Sequence, residues 1–194
     1  ENFYDFTLLA YSEIIIGRYQ FSKSFEKNFI DDYSHFTQLG FDGSLVDIEK
    51  IPFQDRENYL VFLESLRNQI PKDKIIAVYS GRLDEGPSEW NWNLNFFKKV
   101  SEKADLISIG GYDTDFETKE SYQSYLKNQI KIINSQNWKS QFILGIPTHK
   151  EPPETITNAL SVYSEEIKNS EKNNFIGTII FAEWTTDKNE WNVF

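Results

Sequence analysis

Gly40-Phe41-Asp42-Gly43-Ser44-Leu45-Val46-Asp47-Ile48-Glu49 is the stretch whose reading decides the fold. Gly40 supplies a left-handed stop for the helical segment before it, and Asp42-Gly43 is a turn pair. A short apolar strand follows and ends in two acids. Alternate residues of a strand share a face, so Leu45, Asp47 and Glu49 point one way and Ser44, Val46 and Ile48 the other. A strand buried in a parallel sheet carries branched apolar residues on both faces. Two carboxylates at its C-terminal end therefore cost desolvation energy unless they are paired, hydrogen-bonded or open to a cleft. The bland alternative makes them a cap for the next helix or partners of a base such as Arg82. The acids read as a site.

Upstream, Phe25, Phe29, Tyr33 and Phe36 recur at helical spacing from Ser22 onward. Residues 1–19 are ambiguous between a strand with a loop and parts of a helix. Downstream, Asp55 is a candidate N-cap, and Tyr59, Phe62, Leu63, Leu66 and Ile70 form the next helical stripe. Leu94, Phe97 and Val100 mark another helix, and Tyr122, Leu126, Ile130 and Ile133 another, between about Ser121 and Asn134. Pro152-Pro153 opens a last helix near Glu154, with Ile156, Leu160, Tyr163 and Ile167 inward.

Between these helices lie apolar runs at 44–49, 75–80, 106–112, 142–147 and 176–184. Their starts are about 31 to 36 residues apart, the period of βα units on a parallel sheet. A doubly wound sheet would show a glycine-rich loop after its first strand, and Gly110-Gly111 is too weak to serve as one. The spacing predicts an α/β fold, a (β/α)8 TIM barrel of which about the last five to six βα units are present, spread over residues 1–194 as one partial barrel domain. In such a barrel the chemistry sits at the C-terminal ends of the strands, where Asp47 and Glu49 stand.

Composition narrows the partners. Twenty basic against thirty acidic residues give a net charge of −10, which argues against nucleic acid, since phosphate binding needs a basic surface. It equally disfavours an anionic substrate unless a local patch overrules the sum. There is no Cys, so no disulfide or thiolate metal site is possible, and two His cannot build a dense histidine metal site. No run of 18 apolar residues exists, so no membrane span is expected. Aromatic residues make up 16% of the chain, five of them Trp and ten Tyr, a surplus suited to stacking on sugar rings.

The residues now quoted resemble the family-18 glycosidases, the chitinases and related spore-cortex and cell-wall enzymes. That family's strand-four motif is Asp-Gly-x-Asp-x-Asp-x-Glu, and Asp42-Gly43-Ser44-Leu45-Val46-Asp47-Ile48-Glu49 keeps all of it except the middle Asp, replaced by Leu45. Its strand-six Met-x-Tyr-Asp is similar to Gly110-Gly111-Tyr112-Asp113 without the Met, and Trp184 matches the tryptophan that ends its last strand. The similarity runs from about residue 22 to the end. By that alignment the family's strands one to three are absent, and an upstream segment or another chain is needed to close the barrel.

The resemblance implies a retaining hydrolysis assisted by the substrate's own N-acetyl group, an exception to the usual carboxylate pair. Glu49 would be the general acid, its neutral form favoured by burial beside Asp47. Asp47 would orient the acetamide, Tyr112 would hydrogen-bond it, and Asp113 would assist in the same subsite. Trp184 would stack under the sugar. Tyr79, Arg82, Trp90 and Trp92 are candidate rim contacts, Asp42 a weaker one that doubles as a turn residue, and Glu183 has the wrong strand parity to share a face with Trp184. The chemistry implied needs no metal and no cofactor, and an extracytoplasmic or secreted location. Two other functions compete: a chitinase-like carbohydrate-binding protein without turnover, to which Leu45 leans, and an incomplete, inactive barrel.

Overall fold

The computed structural model describes residues 9–15, 21–86, 88–149 and 151–194. The expectations for residues 1–8 and 16–20 lie outside these. Six strands alternate with helices: β1 (Leu9–Ile15), β2 (Gly43–Glu49), β3 (Ile75–Ser80), β4 (Leu106–Gly110), β5 (Gln141–Pro147) and β6 (Phe175–Phe181). The helices between them are α1 (Lys23–Gln38), α2 (Arg56–Gln69), α3 (Leu94–Ser101), α4 (Lys119–Ser135) and α5 (Ile156–Asn169), with a short α6 (Lys188–Val193) at the end.

All pairings are parallel and the strands stand in chain order, β1-β2-β3-β4-β5-β6. Right-handed crossovers in an order that never reverses put every helix on the same face, which is the plan of a barrel wall rather than of a doubly wound sheet. The described residues therefore supply six strands of a (β/α)8 barrel.

The two faces of the wall are chemically distinct. Outward residues Val46, Ile48, Ile76, Val78, Ile107, Ile109, Phe142 and Leu144 join Phe62, Leu63, Phe97, Leu126 and Ile130 of the helices in one continuous core. Inward residues Leu45, Ala77 and Leu106 form a separate small cluster with Ile75, Tyr79 and Ile143. Side-chain caps start the helices: Ser22, Asn93, Thr118 and Thr155 each accept a backbone N–H three residues on, a contact worth about 1 kcal/mol apiece. Gly40, at φ 98°, ends α1 in the left-handed region.

Several expectations are corrected. Strand β1 occupies the place beside β2, so by the family alignment the third strand is present rather than missing. Strand β4 ends at Gly110 and β6 at Phe181, short of the expected 112 and 184. Pro152-Pro153 precedes α5 instead of opening it, because Thr155 is the N-cap and the Glu154 side chain is used elsewhere. Asp55 stands at the N-cap of α2 but makes no side-chain capping bond.

Candidate active site

The parallel sheet brings the C-terminal ends of its strands to one rim, where two adjoining cavities open. One, of about 250 Å³, is lined by Glu49, Tyr79, Arg82, Trp90, Tyr112 and Asp113, among others. The second, about 270 Å³, is lined by Asp47, Tyr79, Ser108, Tyr112, Phe181 and Trp184 together with apolar residues of the inner wall. Tyr79 and Tyr112 belong to both and form the partition between them.

Strand β2 delivers the acids. It is buried from Gly43 to Ile48, and only Glu49 emerges partly. Asp47, 7% exposed, stands two residues below it on the same face. Non-proline cis peptides join Glu49 to Lys50 and Phe181 to Ala182 at two of the strand ends.

The Tyr79 and Tyr112 rings stack with centroids 6.5 Å apart, and Tyr112 stacks on Phe181 at 4.8 Å. Burial pushes both phenols above their ordinary range. For Tyr79 the neighbouring Tyr112, to which it is hydrogen-bonded, adds to the rise, whereas for Tyr112 that bond acts in the opposite direction. The charges of Glu49 and Asp47 then raise both. The phenols consequently stay protonated at neutral pH and present O–H donors beside two carboxyl groups.

Gly145 makes room for this stack. A Cβ there would stand 2.9 Å from Cε1 of Tyr112 and 3.2 Å from the Ile109 carbonyl. Gly145→Ala is expected to push the Tyr112 ring out of the partition. The ring should then lose its contact with Phe181, which a change in the near-ultraviolet circular dichroism of the aromatic stack would report.

Two residues not anticipated from the sequence shape the loop after β4. Glu154, 5% exposed, accepts the backbone N–H of Asp113 at 2.8 Å and of Thr114 at 2.7 Å, as well as the Thr114 hydroxyl. This clamp fixes Asp113 at φ 55°. His149 packs edge-on against Tyr112 at 5.3 Å and Phe181 at 5.0 Å. Its Nδ1 lies 3.0 Å from the Phe181 carbonyl, so that nitrogen carries the hydrogen, and its Nε2 lies 3.7 Å from Asp113 Oδ1. His149 follows β5 by two residues, and that position alone marks a strand-end candidate.

The geometry brings together Glu49, Asp47, Tyr112, Asp113, Tyr79, Arg82, Trp90 and Trp184, and separates two expected contacts from them. Asp42 precedes the first residue of β2, where its carbonyl accepts the Ile75 N–H. Seven residues of strand put it roughly 20 Å from the Glu49 end. Trp92, 2% exposed, packs against Phe96 and Phe97 at 5.1 and 5.2 Å and belongs to the outer core. Glu183 and Trp184 fall in a short 3-10 turn rather than on β6, so strand parity does not separate them, and both line the cleft. Trp184 is 77% exposed and plugs no core.

No family model and no curated protein matches the sequence. Solved structures do. A chitinase from Chromobacterium violaceum superposes with a TM-score of 0.66 at 12% identity, over 95% of this chain and 77% of that one. The fold is chitinase-like. A class V chitininase from Pseudomonas fluorescens Pf-5 gives 0.58 at 12% identity, over 88% and 71%. The Bacillus cereus spore cortex-lytic enzyme SleL gives 0.54 at 14%, over 80% of this chain but 42% of that one. The chitinase-like barrel is thus shared while the chain spans only part of each neighbour's length.

Proposed function

We propose that this chain carries the active face of a glycoside hydrolase acting on an N-acetylhexosamine-containing glycan by substrate-assisted, retaining hydrolysis. The observation that carries the reading is Asp47 and Glu49 two residues apart on the inner face of β2, facing the protonated phenols of Tyr79 and Tyr112. Glu49, at the outer end, gives its proton to the leaving glycosidic oxygen. Asp47 holds the acetamide N–H as the acetamide oxygen attacks the anomeric carbon, and Tyr112 donates to that oxygen. Each cavity is below the ~300 Å³ of a whole-ligand pocket, and the pair suits two adjacent sugar rings with the scissile bond at the tyrosine partition.

Trp184 would floor the sugar on the Asp47 side. Being largely exposed, it contributes little to folding, so Trp184→Ala is expected to leave the melting temperature within about 1 °C. Loss of a stacking platform of about 1–2 kcal/mol should raise KM on a chito-oligosaccharide roughly tenfold, which initial-rate measurements would check.

The neighbours' titles, chitinases and a spore cortex-lytic enzyme, support glycans as the substrate class, and an extracytoplasmic site of action follows from such a substrate. A second reading, binding without turnover, is favoured by Leu45, which stands among Ala77 and Leu106 in the apolar inner floor where a third acid would otherwise sit. Release of reducing ends from N,N′,N″-triacetylchitotriose by the closed barrel tests between them: absence of any product above the uncatalysed rate would leave only the binding reading. Two further strands between β6 and β1 close the barrel, contributed by a preceding segment or another chain.

A further inference from the structure

We infer that Arg82 is a specificity-determining residue that reads a carboxylate on the leaving-side sugar, so that the preferred glycan is one carrying an acidic substituent next to the scissile bond. This rests on the hydrolase reading above, which assigns the Asp47–Trp184 cavity to the sugar that is attacked. The cavity beyond Glu49, with Arg82 and Trp90, is then left for the sugar that departs.

The three described arginines differ in how they are used. Arg56 is buried between the rings of Phe53 and Phe96 at 4.6 and 4.7 Å and donates to the carbonyls of Ser88 and Asn91. Arg67 donates to the Lys74 carbonyl at 3.0 Å and pairs with Asp105. Arg82 has neither an ion pair nor a side-chain hydrogen bond among the described residues; its guanidinium lies 6.0 Å from the face of Tyr125. Among the described residues it is also the one cation lining the cavity that holds Glu49.

That guanidinium is held on a fixed backbone. The Arg82 carbonyl accepts the Trp92 N–H at 2.9 Å. Next to it, the buried Gln129 amide grips both the N–H and the carbonyl of Leu83, at 3.0 and 2.9 Å. The opposite lip, with Trp90, is stapled by Arg56 through the carbonyls on either side of it. A planar five-donor fork on a pinned loop, with its donors unspent, suits a carboxylate bidentately. Asp113, which lines the cavity beside the proton-bearing Glu49, repels an anion and so leaves it one place to go. The net charge of −10 does not oppose this, because it is screened beyond about 8 Å at physiological ionic strength.

The test is calorimetric binding of two matched ligands, N,N′-diacetylchitobiose and the same disaccharide bearing a lactyl ether carboxylate on its reducing-end ring. The parent is expected to bind the acidic ligand at least about tenfold tighter, in line with a charge-assisted hydrogen-bond pair. Arg82→Gln should bring the two affinities together, and Arg82→Lys should recover part of the difference. Equal binding by the parent, or a preference surviving in Arg82→Gln, overturns the inference and leaves the hydrolase reading standing. If the parent binds neither sugar, both fall.

Discussion

Glu49→Gln is expected to lower kcat on N-acetylated oligosaccharides by roughly a thousandfold, within the range for removing a general acid, and to leave ligand affinity within about threefold. The amide keeps the shape of the side chain in the cavity it shares with Arg82 and Trp90 but has no proton to give to the leaving oxygen. Because Glu49 is only partly buried at the last position of β2, the fold is expected to persist and the effect to belong to the chemical step. Single-turnover kinetics beside calorimetric binding separates the two. A mutant as fast as the parent would remove the assignment of the acid and the mechanism with it.

The second large effect belongs to Glu154, which touches no substrate. Its carboxylate is buried and holds the N–H groups of Asp113 and Thr114 and the Thr114 hydroxyl. In Glu154→Ala those three donors lose their acceptor inside the protein, at a cost of about 1–3 kcal/mol each where burial persists. The loop is therefore expected to open rather than stay unsatisfied. Thermal unfolding should report a loss of about 2–4 kcal/mol, and kcat should fall on the order of a hundredfold as Tyr112 and Asp113 lose their registration. Glu154→Gln keeps one acceptor oxygen and should recover part of both. Unchanged stability in Glu154→Ala would mean that the clamp does not support the loop.

What could be read in the chain and what could not follows from the range of each signal. The barrel was legible because its evidence is local and repeated: a branched apolar run every 31 to 36 residues, with a helical stripe between. Asp47 and Glu49 could be placed on one face because a strand has period two. Tyr112 and Trp184 could be placed at the rim through motifs tied to strand ends. The failures arise where the chain leaves regular structure. Trp90 and Trp92 look equivalent as neighbours in a loop, yet Trp92 bridges to Leu83 and turns into the outer core, which strand alternation cannot foresee in a bending segment. The acid of Pro152-Pro153-Glu154 reads as an ordinary first-turn carboxylate, and its true partners lie 40 and 41 residues away in sequence. His149 carried no pattern of its own; only its station after β5 distinguishes it.

The division of the wall into an outward core and an inward cavity has a bearing on how such a molecule changes over time. The residues that bind sheet to helices, such as Val46, Val78, Ile107 and Leu144, share no position with those that face the cleft, such as Asp47, Tyr79, Ser108 and Ile143. Odd and even positions of the same strand thus answer to different selective pressures. Substitutions on the inner set can reshape the cleft while the architecture persists, and drift on the outer set needs only to conserve volume. A shape held in common at 12% identity is the outcome such a separation of duties permits.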